Sequence, residues 1–186
     1  MILPIVGYGH PMLKKVAEPI DKNYNGLTTL ISDMYETVKK TGGCGLAAPQ
    51  VNQSIRLFVV DVSELGLTDI PFTSKTFINP EILDTFGGDK AAKEGCLSLP
   101  GMEEIVIRPD GIHIKYLDEN FEEHNEEYTG AMSRIIQHEY DHLNGYTYID
   151  RISSLRKVLL QSKLKNIMEG KCKVNYSMIY RKNKKN

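Results

Sequence analysis

The stretch Gln137-His138-Glu139-Tyr140-Asp141-His142-Leu143-Asn144-Gly145 gathers two imidazoles and a carboxylate at a spacing that can do chemistry. On a helix, His138 and His142 stand four residues apart, so both project from one face, one turn above the other. Such a pair can hold a single metal ion, and Glu139 beside the first imidazole can reach a water bound to it. The chemistry in view is hydrolysis, because a divalent ion makes a nucleophile from water near neutral pH. The apolar pair Ile135-Ile136 leads into the stretch, and Gly145 suits a helix C-cap. A surface helix that carries two histidines and an acid by accident is the plain alternative. His-Glu-x-x-His arises by chance in on the order of one per cent of chains this long, which favours the metal site.

A catalytic site of this kind usually takes three protein ligands and leaves one position open. Zinc peptidases with this helix find the third downstream. The longer peptidase pattern would put a histidine at position 148, where this chain has Tyr148, and the only glutamate beyond it is Glu169 in a basic helix. Upstream, Cys96 lies in Glu94-Gly95-Cys96-Leu97-Ser98-Leu99-Pro100 and Cys44 in Gly43-Cys44-Gly45. A lone cysteine is more often a small buried hydrophobe than a ligand. The glycines around Cys44 suit the close approach of another molecule's backbone, or merely a turn. The ligand set that results is Cys96, His138 and His142. Asp141 is expected to orient the site rather than ligate, with Arg108 and Glu94 as its candidate partners.

The elements that must position these residues follow from periodicity. Residues 25–40 repeat Leu27, Leu30, Ile31, Met34, Tyr35 and Val38 at intervals of three and four, an amphipathic helix. Residues 56–62 read as a buried strand, and residues 76–83 as another, broken at Pro80. Residues 112–116 and 121–124 make a hairpin around Asp118-Glu119-Asn120, with His113 and His124 facing solvent and without a role. Pro11-Met12-Leu13-Lys14 opens a short helical turn, and the histidine helix starts near Tyr128-Thr129. A last helix at about residues 153–169 is expected to turn Leu155, Val158, Leu159 and Leu164 to the core. Residues 1–170 then form one domain, followed by a basic tail, residues 171–186.

Charge is divided along the chain. Residues 1–150 hold 12 Lys+Arg against 23 Asp+Glu, a net of −11, whereas residues 151–186 hold 11 basic residues and one acid, a net of +10. A basic end on an acidic body suits an anionic partner surface, or is a solvated helix and fray. Three cysteines without a secretion signal fit a reduced, cytoplasmic setting, and no apolar run approaches membrane-spanning length.

Three stretches, Gly43-x-Gly45-Leu46-Ala47-Ala48-Pro49-Gln50, Glu94-Gly95-Cys96-Leu97-Ser98 and Gln137-His138-Glu139-x-Asp141-His142, together resemble the three signature motifs of the peptide deformylases in order and spacing. The resemblance covers roughly residues 3–150, including Leu13-Lys14-Lys15-Val16-Ala17, and no signature position departs from it. It implies removal of the formyl group from the initiator methionine of nascent polypeptides, with release of formate. The implied fold is α+β, with antiparallel β-sheets surrounding the central histidine helix, plus a C-terminal helix. One divalent ion is implied, Fe2+ with Zn2+, Ni2+ or Co2+ able to substitute; a Cys96 thiolate suits an ion that expands its coordination easily. In such an enzyme Glu139 moves the proton, and the Gln50 amide and the Leu97 backbone N–H receive the oxyanion. Gly43, Gly45, Leu46 and Gly95 would border an extended substrate, and Ile135 would line the methionine pocket with the Arg134 stem on its rim, unless Ile135 is simply core. The partners implied are N-formylmethionyl nascent peptides and, through the basic C-terminal segment, ribosomal RNA. A zinc endopeptidase using His138, His142 and a carboxylate, and a structural metal module that binds RNA, are the competing readings.

Overall fold

Residues 1–64, 66 and 71–181 are described by the computed structural model of the chain. Its strands are β1 (Ile5–Val6), β2 (Gly45–Ala47), β3 (Leu57–Asp61), β4 (Ser74–Gly95), β5 (Glu103–Leu117), β6 (Glu123–Thr129) and β7 (Met178–Ile179). Its α-helices are α1 (Leu27–Thr41), α2 (Gly130–Leu143) and α3 (Ser154–Met168). The architecture is α+β: β2-β3-β4-β5-β6 form one antiparallel sheet in that order, and β1 pairs with β7 in a small parallel sheet.

The unalternating apolar run of β3 has a simple cause: both of its faces are covered. Leu57 and Val59 face α1, where they meet the Ile31, Met34 and Val38 stripe, while Phe58 and Val60 face α2 through Met132 and Ile136. A strand buried on both sides needs no polar positions. Phe58 and Phe77 stack across β3 and β4 with centroids 4.6 Å apart. The histidine helix α2 thereby packs its apolar stripe on this sheet, while Gln137, His138 and Asp141 bond polar groups of β4 and β5.

Pro80 does not break β4. The register shifts between Ile78 and Glu81 and the strand resumes beyond it, because a bulge absorbs a residue that lacks a ladder donor. Asn79 sits there at φ 49 and exchanges two bonds with the Ile20 backbone, at 2.9 and 2.7 Å. β4 and β5 are therefore one long hairpin whose tip, residues 96–102, carries Cys96. The β5–β6 turn is closed as its sequence suggests, with Asp118 accepting from the Asn120 and Glu122 N–H groups. His113 and His124 are half-buried rather than solvent-facing; His124 stacks on Tyr116 and bonds Asp118 at 3.0 Å.

α3 buries Leu164 as expected, but the rest of its buried face differs from the expected one. Leu160, Leu164 and Ile167 pack on Leu99, Met102, Val106 and Tyr148, whereas Leu155, Val158 and Leu159 are exposed. Ser153 caps the helix at the Arg156 N–H, and the Arg156 guanidinium grips Glu104 at 2.7 and 3.0 Å, which fixes its rotation. Beyond α3 the chain does not leave the body: it returns to add β7 beside β1, in register Ile5 with Met178 and Val6 with Ile179. Residues 182–186 of the expected tail lie outside the described residues. Among the described residues, no helix is long and apolar enough to cross a membrane.

Candidate metal centre

Three elements converge behind the β4–β5 hairpin tip. Cys96 comes from the tip, His138 and His142 come from α2, and Gln50 comes from the 3-10 turn Ala48–Val51 that follows β2. One ligand atom each from Cys96, His138 and His142 lie within 4.8 Å of one another. The Cys96 sulfur is 3.3 Å from His142 Nε2. Neither Cys44 nor Glu169 belongs to the cluster.

His138 is oriented from behind. Its Nδ1 bonds Glu94 Oε2 at 2.9 Å, which leaves Nε2 for the cluster. Glu94 is gripped in turn by Arg108, at 2.6 and 2.9 Å, and by Arg134 at 2.8 Å. Arg108 is fully buried and donates its remaining arm to Asp141 at 2.8 Å, and Arg151 also bonds Asp141. Asp141 thus reaches the imidazole only through Arg108 and Glu94. A carboxylate behind a ligating histidine fixes its tautomer and raises its basicity. Burial would push the Glu94 carboxyl up, but bonds from Arg108 and His138 hold it well below the usual range.

The residues fit a divalent ion. Burial disfavours charge on His138, yet the Cys96 sulfur and Glu94 outweigh it and hold its pKa well above the ordinary value. Burial and the neighbouring His138 hold His142 well below its own. Sulfur and two imidazole nitrogens are a donor set suited to zinc or ferrous iron, and three donors leave a coordination position open. Glu139 Oε2 is buried at the cluster without a hydrogen-bond partner among the described residues. Burial pushes this carboxyl up to about 7, against the lowering pull of His138 and Arg108.

Gln50 has a fixed sense. Its Oε1 accepts the Ala47 N–H at 2.8 Å, so its Nε2 faces the Cys96 sulfur at 3.4 Å and the Ser98 hydroxyl at 3.3 Å. A cleft of about 1140 Å³ opens in front, lined by Gly43, Gly45, Gly95, Leu97 and Ile135 among others. Leu46 is not on it; its side chain is fully buried in the α1 core. Gly45 is required where it stands, because a Cβ there would lie 2.7 Å from Glu139 Oε1. Among the described residues β2 is an edge strand, paired only with β3. Arg134 does lie at the rim, where it also ties the Lys90 and Val106 carbonyls together. Sequence reasoning missed one wall entirely: Lys173, Val174, Asn175 and Tyr176 border the cleft. No local pattern marks them, since they meet the hairpin tip, as Tyr176 does at Leu97, only through contacts far apart in the chain.

The sequence model of a family described as Polypeptide deformylase matches residues 2–158. A peptide deformylase of Cytophaga hutchinsonii is 46% identical over 178 residues, covering 96% of this chain and 97% of that protein. One from Christiangramia forsetii is 45% identical, covering 100% and 99% respectively. Among solved structures, the crystal structure of a peptide deformylase from Legionella pneumophila superposes with a TM-score of 0.80 at 33% identity, covering 92% of this chain and 98% of the other.

Proposed function

The chain belongs to the polypeptide deformylase family and is a metal-dependent hydrolase that removes the N-formyl group from nascent polypeptides; on that premise we propose which of its residues perform the reaction, and with which ion. The zinc endopeptidase and the structural metal module are set aside by this membership. In our reading Cys96, His138 and His142 hold one divalent ion, Fe2+ by preference, with Zn2+, Ni2+ or Co2+ able to take its place. When bound, the ion supplies Lewis acidity to a water and to the formyl carbonyl.

Glu139 accepts the proton of the attacking water and passes it to the amide nitrogen as the C–N bond of the formamide breaks, so that the amine leaves neutral and formate is released. A carboxyl that titrates near 7 suits both halves of that exchange. Gln50 Nε2 and the Leu97 N–H receive the charge that develops on the formyl oxygen; one such donor is typically worth about 3–4 kcal/mol in the transition state. The Ala47 N–H prevents the Gln50 amide from offering its oxygen instead. Gly43, Gly45 and Gly95 let an extended peptide lie along the free edge of β2, bonded main chain to main chain, which makes recognition tolerant of sequence. Ile135 takes the methionine side chain.

The observation that carries this reading is the meeting of three donor atoms within 4.8 Å beside a buried, unpartnered carboxyl. Formate release from an N-formylmethionyl peptide, measured with metal analysis on anaerobically prepared protein, tests it. Glu139→Gln should keep the ion and the fold while turnover falls about 10²- to 10⁴-fold. Cys96→Ser should lose both ion and turnover, and ferrous reconstitution should restore activity lost in air. Turnover that survives Cys96→Ser would overturn the ligand set.

The cytoplasm is the proposed location, supported by three free cysteines. Ribosomal RNA is the proposed partner of the C-terminal segment, supported by its net charge of +10. Binding to ribosomes should weaken steeply with added salt and vanish on truncation after Asp150; binding that is indifferent to salt would refute it.

A further inference from the structure

The hairpin tip that carries Cys96 is held by three consecutive backbone carbonyls, each answered from a different place. The Cys96 carbonyl accepts from the Leu99 N–H at 2.9 Å, which closes the turn locally. The Leu97 carbonyl accepts from the Tyr176 hydroxyl at 2.9 Å, just before β7. The Ser98 carbonyl accepts from the Tyr8 N–H at 2.8 Å, just after β1. β1 and β7 are themselves joined, by Ile5 N–H to the Ser177 carbonyl and Gly7 N–H to the Ile179 carbonyl, both at 2.8 Å. The small parallel sheet therefore grips the tip with both of its strands. Tyr180 locks the segment: its ring covers Gly7, where a Cβ would come within 2.9 Å of it, and its hydroxyl bonds the Met178 sulfur at 3.0 Å.

Leu97 sits between two peptide planes. The plane before it contains its own N–H and the Cys96 carbonyl; the plane after it contains the carbonyl that Tyr176 holds. With both planes tied, the backbone angles of Leu97 are restrained from both sides, and with them the direction of its N–H. Without the Tyr176 bond the second plane loses its one direct tether and is held only by the Cys96–Leu99 turn and the Tyr8 bond to the next carbonyl.

We propose that Tyr176 is a positioning residue for the reaction: by bonding the Leu97 carbonyl, it makes the C-terminal segment a strap that fixes the Leu97 N–H toward the reacting oxygen and steadies the Cys96 ligand beside it. The proposal rests on the reading of Leu97 as an oxyanion donor. It gives the segment after α3 a task in catalysis, distinct from any contact with a partner.

The test compares full-length wild type and Tyr176→Phe, both loaded with Co2+. Phenylalanine keeps the ring that packs against the α1 core and removes only the hydroxyl. Losing one neutral hydrogen bond should lower kcat roughly 2- to 10-fold with KM unchanged, because the bond acts on the transition state and not on peptide binding. Cobalt should pass to a chelator faster from the variant, and its thiolate absorption band should shift. A variant that melts like wild type with unaltered kcat and cobalt release would overturn the strap. Faster cobalt release with an unaltered kcat would instead overturn the reading of Leu97 as an oxyanion donor, while still showing that Tyr176 steadies the ligand loop.

Discussion

Gln50 and Glu139 are both buried polar side chains, and each is aimed by a backbone detail. The Ala47 N–H takes one end of the Gln50 amide, so the other must donate into the cluster. Glu139 occupies the space that a side chain at position 45 would need. Gly45→Ala should therefore displace the carboxyl and lower kcat about 10- to 100-fold, the usual penalty for a misplacement near 1 Å. Circular dichroism should report an intact fold; a wild-type kcat would mean that Glu139 has another productive position. Residues of this kind were legible because their chemistry demands close spacing: His138, Glu139 and His142 share one helical face, and the cysteine and glutamine motifs are short. The Leu46 side chain is turned from the cleft for a reason of the same scale, which leaves only its backbone to border a substrate. In a strand, neighbours point to opposite sides, so the residue after Gly45 enters the core.

At the scale of elements, α3 shows where a sequence stops being informative. Apolar residues occur all round it, so periodicity does not choose a face, and Leu155, Val158 and Leu159 looked as good as Leu160, Leu164 and Ile167. The choice is made by Arg156 reaching Glu104 on β5, a contact between residues far apart in the chain. Leu160→Ala should destabilise the protein by about 2–4 kcal/mol, the cost of a cavity in a packed cluster. Leu159→Ser should change it by no more than about 0.5 kcal/mol. Denaturant melts distinguish the two, and the reverse order would restore the face first expected. The long β4–β5 hairpin was likewise only partly visible, because Pro80 reads as a strand end while bulged pairing carries the ladder past it.

Across the whole molecule, ionised groups set how the fold meets acid. Burial works to raise the Glu126 carboxyl, but bonds from Tyr128, Lys75 and Tyr116 outweigh it and hold it down to about 2, below its ordinary 4.5. An unfolded chain takes up this proton at the higher value. The contribution is therefore fully present above about pH 4.5 and is lost as pH falls toward about 2. Glu126 is about a third exposed, so solvent screening keeps the effect modest. Thermal midpoints followed down this range should fall, and less steeply in Glu126→Gln; an identical slope would place the acid sensitivity elsewhere, with Glu94 the next candidate.

The three sulfur and nitrogen donors sit on two elements, a hairpin tip and a helix, that meet only after the sheet has closed. An unfolded chain offers no such trio, so whatever ion the trio retains is counted wholly on the native side of the equilibrium. Each tenfold rise in free ion above its dissociation constant then adds about 1.4 kcal/mol to the fold. Starvation for the ion would thus shorten the life of the protein itself, and not merely silence it.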